Sequence, residues 1–509
     1  MGRLAAICCL LMAGDVQAAV LPPAERITLL KEDFQLIQRN PDDRGTCLIK
    51  MSPEVAEPAD CEFTLADGKR AIRSGHVRTR DRAGLGQTVL LESLPVGGPY
   101  TVTVSSKSSR GNHKNIFRNI LVGDIWVLGG QSNMFGIDVI KEKLPALPYL
   151  NILDARHFLH DAHWCAGVPP IHRIPEPFAA FTLKSQHPDW SDEQIKRTIA
   201  SGIPIGGIDC SYFFARKLCA ESGVPIGLIP CATGGALAIW DPAQQDRNRY
   251  GFMLHHVRST GGRVRGLLFF QGEQDAIFGD AQKTVTSPSL IYPIRTYGQQ
   301  FKTFVEAFRK DCNDEALPVL LAQICRHHSS NRKDSAAGWE IIREAQRRIP
   351  ENLPRAHCVP TVDLDVVDGL HLDYDSLKRV GERMAYLALP YVKQGVEPRS
   401  EIKLVSVHLG TTLKPTIVVE FSGVTGKLRA AGRPTGFRLK DRATGEYLDW
   451  IYKVDFDAAR PNAVILSVAR QQNREVDLYY AAGAAPYVNL VDDNDMPLPA
   501  FGPIELKLK

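Results

Sequence analysis

A serine follows two glycines at the point where an apolar run of the chain ends. The run Asp124–Leu128 is typical of a buried parallel strand, and Gly129, Gly130 and Gln131 separate it from Ser132. Ligands bind beyond the carboxyl ends of the strands in open α/β sheets, so this turn would place a hydroxyl at the catalytic edge. The glycines let the backbone turn sharply and bring amide N–H groups towards a reacting oxygen. We interpret Ser132 as a nucleophile; a plain turn with a helix cap is the alternative.

A carboxylate and an imidazole stand close together farther along the chain. Asp368 and His371 follow the last predicted strand and precede an amphipathic helix, with Gly369 and Leu370 between them. Over such a short turn the carboxylate can reach the imidazole, fix its tautomer and leave the other ring nitrogen for a nucleophile. A serine hydrolase needs this geometry, and Ser132 would be its third member. A surface Asp and His that cap a helix is the alternative interpretation.

Other acidic and imidazole groups are rivals for these roles. Asp363, Asp365 and Asp373 are near His371 in sequence, but Asp368 is favoured because Gly369 permits the tight turn. Asp373 is better explained as part of the cap of the following helix. The remaining histidine pairs lack a carboxylate three residues earlier, which favours core or solvated roles for them. They are His160 with His163, His255 with His256, and His327 with His328.

Buried strands and helices must hold these groups, and residues 120–395 show the pattern of both. Continuous apolar runs alternate with helical periodicity, which is typical of a parallel sheet covered by helices on both faces. Gly223 predicts the end of a helix over Ser211–Ala220. Apolar residues spaced by threes and fours predict a core-facing helix: Ile294, Tyr297, Phe301, Phe304, Val305 and Phe308. The predicted strands are Asp124–Leu128, Pro225–Pro230, Gly266–Phe270, Pro318–Ile324 and His357–Val362.

Shorter alternating runs flank this region on both sides. Residues 19–119 and residues 396–509 contain brief apolar and polar alternation broken by Gly and Pro, which predicts antiparallel β structure. The expected fold class is therefore α/β, with a parallel-sheet catalytic domain over residues 120–395. An N-terminal and a C-terminal β-sandwich-like module would flank it.

The composition excludes several classes of protein. A chain of 509 residues with 44% hydrophobic and 23% charged residues is globular rather than disordered. The net charge of +4 is small, and one basic stretch, Lys69–Arg82, does not make a nucleic-acid partner a good prediction. No apolar run reaches the roughly 18 residues that cross a bilayer, so no membrane span is predicted.

The N-terminus carries the one targeting signal that we identify. Arg3 precedes the apolar stretch Leu4–Met12, and Val16-Gln17-Ala18 has small residues where signal peptidase cleaves. We predict a signal peptide over residues 1–18 and a secreted or periplasmic protein; a buried N-terminal element is the alternative. Removing the segment would leave nine of the 11 cysteines, an odd number, so at least one thiol stays free unless it pairs between chains. Among them, Cys47 and Cys61 would suit a hairpin disulfide.

Three sequence blocks together resemble the blocks of one enzyme family. They are residues 130–134 (GQSNM), 271–275 (QGEQD) and 368–371 (DGLH). These blocks are similar to those of the sialate O-acetylesterase group of SGNH hydrolases, a group that also includes acetylxylan esterases. The resemblance extends over residues 85–135 and 205–395, whereas residues 139–206 match little.

The resemblance implies both a fold and a mechanism. The catalytic domain would be flavodoxin-like, with Ser132 as nucleophile, His371 as general base and Asp368 as its orienting partner. Ser132 would attack an ester carbonyl and form an acetyl-enzyme, which water activated by His371 then hydrolyses. Neither a metal nor a cofactor is implied.

An oxyanion hole is also implied by the resemblance. Its donors would be the Ser132 amide, an amide of the Gly235 turn and the side-chain amide of Gln271. The wider superfamily pattern Gly-x-Asn-Asp would instead place the side-chain donor at Gln274, and this alternative stays open.

Polar residues around the predicted site favour a sugar as substrate. Gln131, Asn133, Glu273 and Asp275 are candidate substrate-binding residues; for Glu273 and Asp275, hydrogen bonding that holds the loop is the alternative. We therefore predict an exported esterase that removes O-acetyl groups from an acetylated carbohydrate. A thioesterase or lipase is one alternative, but it would need an apolar acyl channel instead of these polar residues. A catalytically silent glycan-binding protein on the same scaffold is the other alternative, although all three catalytic positions are filled here.

Overall fold

The computed structural model describes residues 26–508, apart from 56, 109–110, 143, 155–161, 174–179, 181–182, 185–186, 188, 202–205, 245–247, 279–293, 329–334, 411–414 and 470–473. The predicted signal peptide, residues 1–18, lies outside the described residues. In the part of the chain that is described, no helix is long and apolar enough to cross a bilayer.

The N-terminal part of the chain is built from strands. In β4, alternate side chains are buried, as expected where one face of a strand lies on a core. A four-stranded sheet has the order β1-β3-β7-β6, and β4 pairs with both β5 and β8 in a second sheet. The strands are β1 (Thr28–Leu30), β2 (Leu36–Gln38), β3 (Arg44–Lys50), β4 (Asp60–Asp67), β5 (Arg70–Arg78), β6 (Arg80–Arg82), β7 (Gly86–Pro95), β8 (Gly97–Ser108) and β9 (Gly111–Gly130).

Parallel strands and helices alternate in the middle of the chain. All five predicted strands form, and two further strands, β10 and β11, lie in the segment that matched no family block. The elements are α1 (Ser132–Phe135), β10 (Leu150–Asp154), β11 (His163–Ala166), α2 (Asp192–Ala200), α3 (Cys210–Ser222), β12 (Ile226–Pro230), α4 (Arg249–Ser259), β13 (Gly266–Phe270), α5 (Glu273–Phe278), α6 (Tyr297–Cys312), β14 (Val319–Gln323), α7 (Ser335–Asn352), β15 (Ala356–Pro360) and α8 (Tyr374–Val392). Short 3-10 helices cover Leu237–Trp240, Pro242–Gln244 and Ile294–Thr296.

Strand β9 belongs to two parts of the structure. Its first residues pair antiparallel with β8, whereas Asp124–Gly130 lies between the parallel strands β12 and β13. The spatial order is β11-β10-β12-β9-β13-β14-β15, in which β11 runs antiparallel to β10. Strand β9 therefore passes through the predicted boundary at residue 119 without a break. It ends in the middle of the sheet, where Ser132 follows.

Helices cover both faces of this sheet, as predicted. Side chains of β9 alternate between the two sides: Trp126 packs in the core that contains α3 and α8, and Val127 in the core that contains α4, α6 and α7. All six apolar residues of the predicted helix face are buried, with Ile294 in the 3-10 helix that leads into α6. Helix α3 ends at Gly223 in the left-handed conformation (φ 74°), again as predicted.

The C-terminal part of the chain returns to strands. One four-stranded sheet has the order β16-β17-β22-β21, a second has the order β20-β19-β23-β25, and β18 pairs with β24. The strands are β16 (Lys403–Leu409), β17 (Thr416–Ser422), β18 (Arg429–Ala430), β19 (Phe437–Asp441), β20 (Tyr447–Leu448), β21 (Ile451–Phe456), β22 (Ala463–Val468), β23 (Arg474–Tyr480), β24 (Leu490–Val491) and β25 (Phe501–Leu508). Their apolar faces join the core that contains α3 and α8.

The predicted disulfide between Cys47 and Cys61 is wrong. Cys47 lies on β3 and Cys61 on β4, and these strands belong to different sheets rather than to one hairpin. Both thiols are free and buried in the N-terminal core. Burial raises the pKa of Cys47 to about 12, so it is a small apolar core residue rather than a reactive thiol.

A buried carboxylate joins the N-terminal strands to the parallel sheet. Asp124 is fully buried and accepts hydrogen bonds from Arg39 Nε (2.9 Å), Arg265 Nε (2.9 Å) and Gln38 Nε2 (3.0 Å). Arg39 also donates to the carbonyl of Val392 at the end of α8 (2.5 Å). One ion-pair network thus fixes β2, β9 and α8 at the amino end of the parallel segment of β9.

Arg39→Met should lower the free energy of unfolding by about 3 kcal/mol, because it leaves the buried Asp124 carboxylate without its closest cationic partner. The matched control is Glu505→Gln, which breaks an ion pair with Arg442 but removes an exposed carboxylate. That change should cost less than about 1 kcal/mol. Urea unfolding of both variants measures the difference, and equal losses would contradict the assigned role of Arg39.

Candidate active site

Ser132 is held at the carboxyl end of the central strand. Strand β9 ends at Gly130, and the amide of Gln131 donates a hydrogen bond to the carbonyl of Phe270 at the end of β13 (2.8 Å). Gly130 has φ 133°, and a Cβ there would lie 2.1 Å from the Phe270 carbonyl oxygen. Only glycine fits this close backbone approach. The chain then starts α1 with Ser132 as its first residue.

Ser132, His371 and Asp368 form a continuous hydrogen-bonded chain. His371 Nδ1 lies 2.7 Å from Asp368 Oδ2, and His371 Nε2 lies 2.9 Å from Ser132 Oγ. An ionised carboxylate can only accept, so Nδ1 carries the proton and Nε2 is the acceptor for the serine hydroxyl. The structure thus brings together the three predicted catalytic residues, from positions 239 residues apart in sequence.

The Asp368 carboxylate also holds the turn that carries His371. Its Oδ1 accepts from the amides of Leu370 (3.0 Å) and His371 (2.9 Å), and Gly369 between them has φ 88°. Burial opposes ionisation of Asp368, but the hydrogen bond and charge of His371 and these two amides outweigh it and lower the pKa to about 2. Asp368 is therefore ionised across the whole range in which an imidazole titrates.

The three rival carboxylates have other partners. Asp363 is buried against Arg379 and Arg383, and Asp365 forms an exposed ion pair with Arg326. Asp373 is the N-cap of α8 and accepts from the Ser376 amide (2.9 Å), as predicted. None of these hydrogen bonds leads to the His371 ring.

Asn133 connects the nucleophile turn to the histidine loop. Its Oδ1 accepts from the amide of Leu372 (2.9 Å), and its Nδ2 lies 3.4 Å from the carbonyl of Leu370. These two backbone groups flank His371, while Asn133 itself follows Ser132. The Asn133 side chain is 1% exposed. Asn133, a predicted substrate-binding residue, therefore lies at the site, but its polar atoms are already hydrogen-bonded to other groups of the protein.

Glu273 lies beneath the same side chain. Its Oε1 accepts from Asn133 Nδ2 (2.6 Å), whereas its Oε2 is buried without a hydrogen-bond partner among the described residues. Glu273 is fully buried, and this burial raises the pKa of its carboxyl group even though the Asn133 hydrogen bond opposes the shift.

The chain that leads to Gly235 runs beside the end of β9, next to the turn that carries Ser132. After β12, the amide of Cys231 donates to the Leu128 carbonyl (2.8 Å) and that of Thr233 donates to the Gly130 carbonyl (2.9 Å). The following glycine, Gly235, has φ 148°. The chain beyond β12 therefore continues along β9 as far as the turn that precedes Ser132.

The Gln271 side chain is buried, and its amide hydrogens already have acceptors. Gln271 Nε2 donates to Asp275 Oδ2 and lies 3.3 Å from both Gln131 Oε1 and the Gly235 carbonyl oxygen. Its Oε1 lies 3.2 Å from the Tyr297 hydroxyl. The amide group is thus fixed from several directions. Its contact with the predicted oxyanion turn is to the carbonyl oxygen of Gly235.

The neighbouring polar residues hold the shape of this loop. Asp275 Oδ2 accepts from the Leu237 amide (3.0 Å), and burial raises the pKa of Asp275 to about 6. Gln131 is 5% exposed, and its Oε1 lies 3.4 Å from the amide nitrogen of Gln274. Gln274 is half-buried at the start of α5.

One pair of residues near the site was not identified from sequence. His172 and Asp209 form a buried pair, with His172 Nδ1 3.1 Å from Asp209 Oδ2. The two residues are 37 positions apart, and His172 lies in the segment without family resemblance. Trp240 is a core residue: it is 1% exposed and packs against Phe269 and Phe304. The described residues contain no group of three or more His, Cys, Asp or Glu that could hold a metal ion.

Comparisons with known proteins identify the family. A family model described as "Carbohydrate esterase, sialic acid-specific acetylesterase" matches residues 122–389, which is more than half of the chain. A protein of Arabidopsis thaliana named "Probable carbohydrate esterase" is 27% identical over 270 residues, covering 51% of this chain and 88% of the relative. A crystal structure of a carbohydrate acetylesterase from Xanthomonas citri aligns with a TM-score of 0.64 at 21% identity, covering 93% of this chain and 98% of that one, and so shares its fold. The chain belongs to the carbohydrate esterase family of sialic acid-specific acetylesterases and is a carboxylic ester hydrolase.

Proposed function

We propose that the protein is a serine esterase that removes O-acetyl groups from carbohydrates through an acetyl-enzyme intermediate. The observation that carries this proposal is the hydrogen-bonded chain from Asp368 through His371 to Ser132 Oγ. Family membership supports hydrolysis of acetyl esters of carbohydrates. The silent glycan-binding alternative is not favoured, because it gives no reason to keep His371 within 2.9 Å of both Asp368 and Ser132.

The proposed reaction has two steps. Ser132 Oγ attacks the acetyl carbonyl while its proton passes to His371 Nε2, and that proton then goes to the sugar oxygen as the ester bond breaks. Water next gives a proton to His371 and attacks the acetyl-enzyme, which releases acetate and returns the proton to Ser132. Asp368 stabilises the imidazolium formed in each step, because it is ionised and bonded to Nδ1.

The strand order supports an assignment to the flavodoxin-like SGNH hydrolases. With β10 left out of the count, although it also runs parallel to β12, the strands β12-β9-β13-β14-β15 have the order 2-1-3-4-5, which is the flavodoxin order. Strands β10 and β11 extend the sheet beyond β12. Residues 19–119 and 396–509 would be the flanking β-sandwich-like modules, and β9 would be shared between the first module and the catalytic domain.

We infer that the buried polar residues position the site and do not bind the sugar. Asn133 and Glu273 are hydrogen-bonded to each other with at most 1% exposure, so a sugar hydroxyl cannot reach them without opening the site. Asp275 is bonded to Gln271 and to the Leu237 amide, which supports the loop-holding alternative. The acetyl group would then meet the backbone around Ser132 and the half-buried Gln274.

Release of acetate from a panel of esters tests the proposed activity. The full chain should release acetate from at least one of acetylated sialic acid, acetylated xylan and acetylated pectin, and should release much less fatty acid from long-chain esters. Release of no acetate from any of the three would contradict the proposal.

We also propose export, on the basis of the N-terminal segment. Mass spectrometry of the mature protein should place the new N-terminus after Ala18.

Ser132→Ala should abolish most acetate release and leave the fold intact. The serine carries the whole covalent step but little of the packing, and losing a triad member costs about 10⁴–10⁶ in rate. Acetate release and the thermal midpoint of the variant test this together. Activity within about tenfold of the parent would rule out the serine mechanism.

Asp368→Asn should reduce turnover by about 10²–10⁴, because an amide can hold the wrong tautomer and cannot stabilise the imidazolium. Asp373→Asn is the matched control: asparagine still caps α8, so turnover should stay within about threefold of the parent. If Asp373→Asn loses activity and Asp368→Asn keeps it, the triad is wrongly assigned.

Asp368→Asn should also change how thermal stability depends on pH in acid. The folded pKa of Asp368, about 2, lies below the unfolded value, so its ionised form stabilises the folded state above about pH 4. This contribution is lost as the pH falls towards 2. Thermal midpoints between pH 2 and pH 7 should therefore depend less steeply on pH in Asp368→Asn than in the parent.

Gln274→Ala and Gln271→Ala separate the two candidate side-chain donors of the oxyanion hole. We expect Gln274→Ala to lower kcat by about 10²-fold, as loss of one oxyanion donor does, with little change in thermal midpoint. Gln271→Ala should instead lower the thermal midpoint, because it removes one buried donor from the Asp275 carboxylate and from Gln131 Oε1. If Gln271→Ala lowers kcat and Gln274→Ala keeps the parental kcat, the side-chain donor is Gln271 instead.

A further inference from the structure

His172 and Asp209 form a buried pair whose proton arrangement is determined by their partners. Both side chains are at most 3% exposed. Asp209 caps α3: its Oδ1 accepts from the Ser211 amide (2.8 Å) and hydroxyl (2.5 Å), while its Oδ2 faces His172 Nδ1 at 3.1 Å. An ionised carboxylate so surrounded by donors accepts from the ring, which puts the ring proton on Nδ1.

The other ring nitrogen of His172 reaches the loop that leads to Gly235. The amide of Ala232 lies 3.3 Å from His172 Nε2. The amides on either side of it, those of Cys231 and Thr233, donate to carbonyls of β9. Successive amides of an extended chain point in opposite directions, so the Ala232 amide points away from β9 and His172 supplies its acceptor. The loop is thus held from both sides.

His172 also touches the nucleophile turn. Its ring lies 5.2 Å from the ring of Phe135, at an angle of 36°. Phe135 is the last residue of α1, which begins with Ser132. A single imidazole therefore contacts the Ala232 amide on the segment that leads to Gly235 and the Phe135 side chain on the helix that begins with Ser132.

We propose that the His172–Asp209 pair is a positioning device for the oxyanion hole, with Asp209 fixing the Nδ1-protonated tautomer and His172 holding the Ala232 amide. This inference rests on the proposed serine mechanism and adds two positioning residues to it. Neither residue touches the acetyl group. They fix the position of the Gly235 turn while negative charge develops on the carbonyl oxygen. Their loss therefore reduces stabilisation of the transition state more than it reduces substrate binding.

Two substitutions at His172 separate the acceptor from the rest of the side chain. In His172→Gln, the longer side chain can place an amide oxygen near the Nε2 position and still accept from Ala232. In His172→Asn, the shorter amide lies near the Nδ1 position, so the Ala232 amide loses its acceptor. We expect His172→Asn to lower kcat by about 10–100-fold with KM changed less than about threefold, and His172→Gln to restore kcat to within about fivefold of the parent.

Asp209→Asn tests the same arrangement from the other partner. Asparagine still caps α3, but its NH₂ can donate to Nδ1, which moves the ring proton to Nε2 and removes the acceptor for Ala232. The variant should therefore resemble His172→Asn in kcat while its thermal midpoint stays close to that of the parent. It decides the outcome if His172→Asn does not fold.

A matched control is available at the opposite end of the sheet. His357 is also buried and paired, with Glu401 Oε2 at 2.7 Å and the Tyr391 hydroxyl at 2.7 Å, but it lies at the amino end of β15. His357→Asn and His357→Gln should lower the thermal midpoint and leave kcat within about twofold of the parent, because a buried pair far from the catalytic edge affects stability alone.

The measurements are kcat and KM for release of acetate from a small aryl acetate by the full chain, with Ser132→Ala in the same series. Equal kcat in His172→Asn, His172→Gln and the His357 variants would overturn the positioning role. The same holds for parental kcat in Asp209→Asn. If the parent shows no activity above that of Ser132→Ala, the serine mechanism itself fails, and this result is distinct from the others.

Discussion

The site depends on one buried side chain that ties its two halves together. Ser132 belongs to the turn after β9, and His371 belongs to a loop 239 residues away in sequence. Asn133 follows Ser132 and bonds to the Leu372 amide and the Leu370 carbonyl on either side of His371, so it helps to set the distance between Ser132 and His371. Its hydrogen bonds are shielded from water, and a buried amide without partners would cost about 1–3 kcal/mol. The 2.9 Å contact between Ser132 and His371 is a consequence of this arrangement.

The histidine loop is also supported from the C-terminal strands. Arg343 of α7 is fully buried and donates to the carbonyls of Cys325 (2.6 Å) and Gly483 (2.7 Å), which joins the loop after β14 to the loop after β23. In the first of these loops, the Cys325 thiol lies 3.2 Å from the Leu370 carbonyl oxygen, and the His328 amide donates to the Gly369 carbonyl (2.7 Å). Contacts therefore run without interruption from the C-terminal strands to the turn that carries His371.

The sequence was sufficient for the catalytic elements but not for the direction of the polar side chains. Asp368 and His371 could be paired because three residues separate them and Gly369 permits the turn, and the five parallel strands were visible as apolar runs. Whether a polar side chain in a loop points into the core is a tertiary property. For this reason Asn133 was interpreted as a sugar ligand, and Glu273 as either a sugar ligand or a residue that holds the loop, although each is buried against the other. The pairing of His172 with Asp209 had no local signal at all. The disulfide prediction failed for a related reason, because sheet membership is not visible in a short β segment.

Asp368, Glu273 and Asp275 carry carboxyl groups at the site, and burial and partners shift their pKa values in different directions. Asp368 has two amide donors and an imidazole, so its pKa falls to about 2 despite burial. Asp275 and Glu273 have fewer donors, and burial raises the pKa of both. The negative charge of Asp368 lies next to the Nδ1 proton of His371, where in the proposed mechanism it would stabilise an imidazolium. Negatively charged neighbours would instead repel the oxyanion expected at Ser132. The raised pKa values of Glu273 and Asp275 oppose ionisation of both groups and so act against that repulsion.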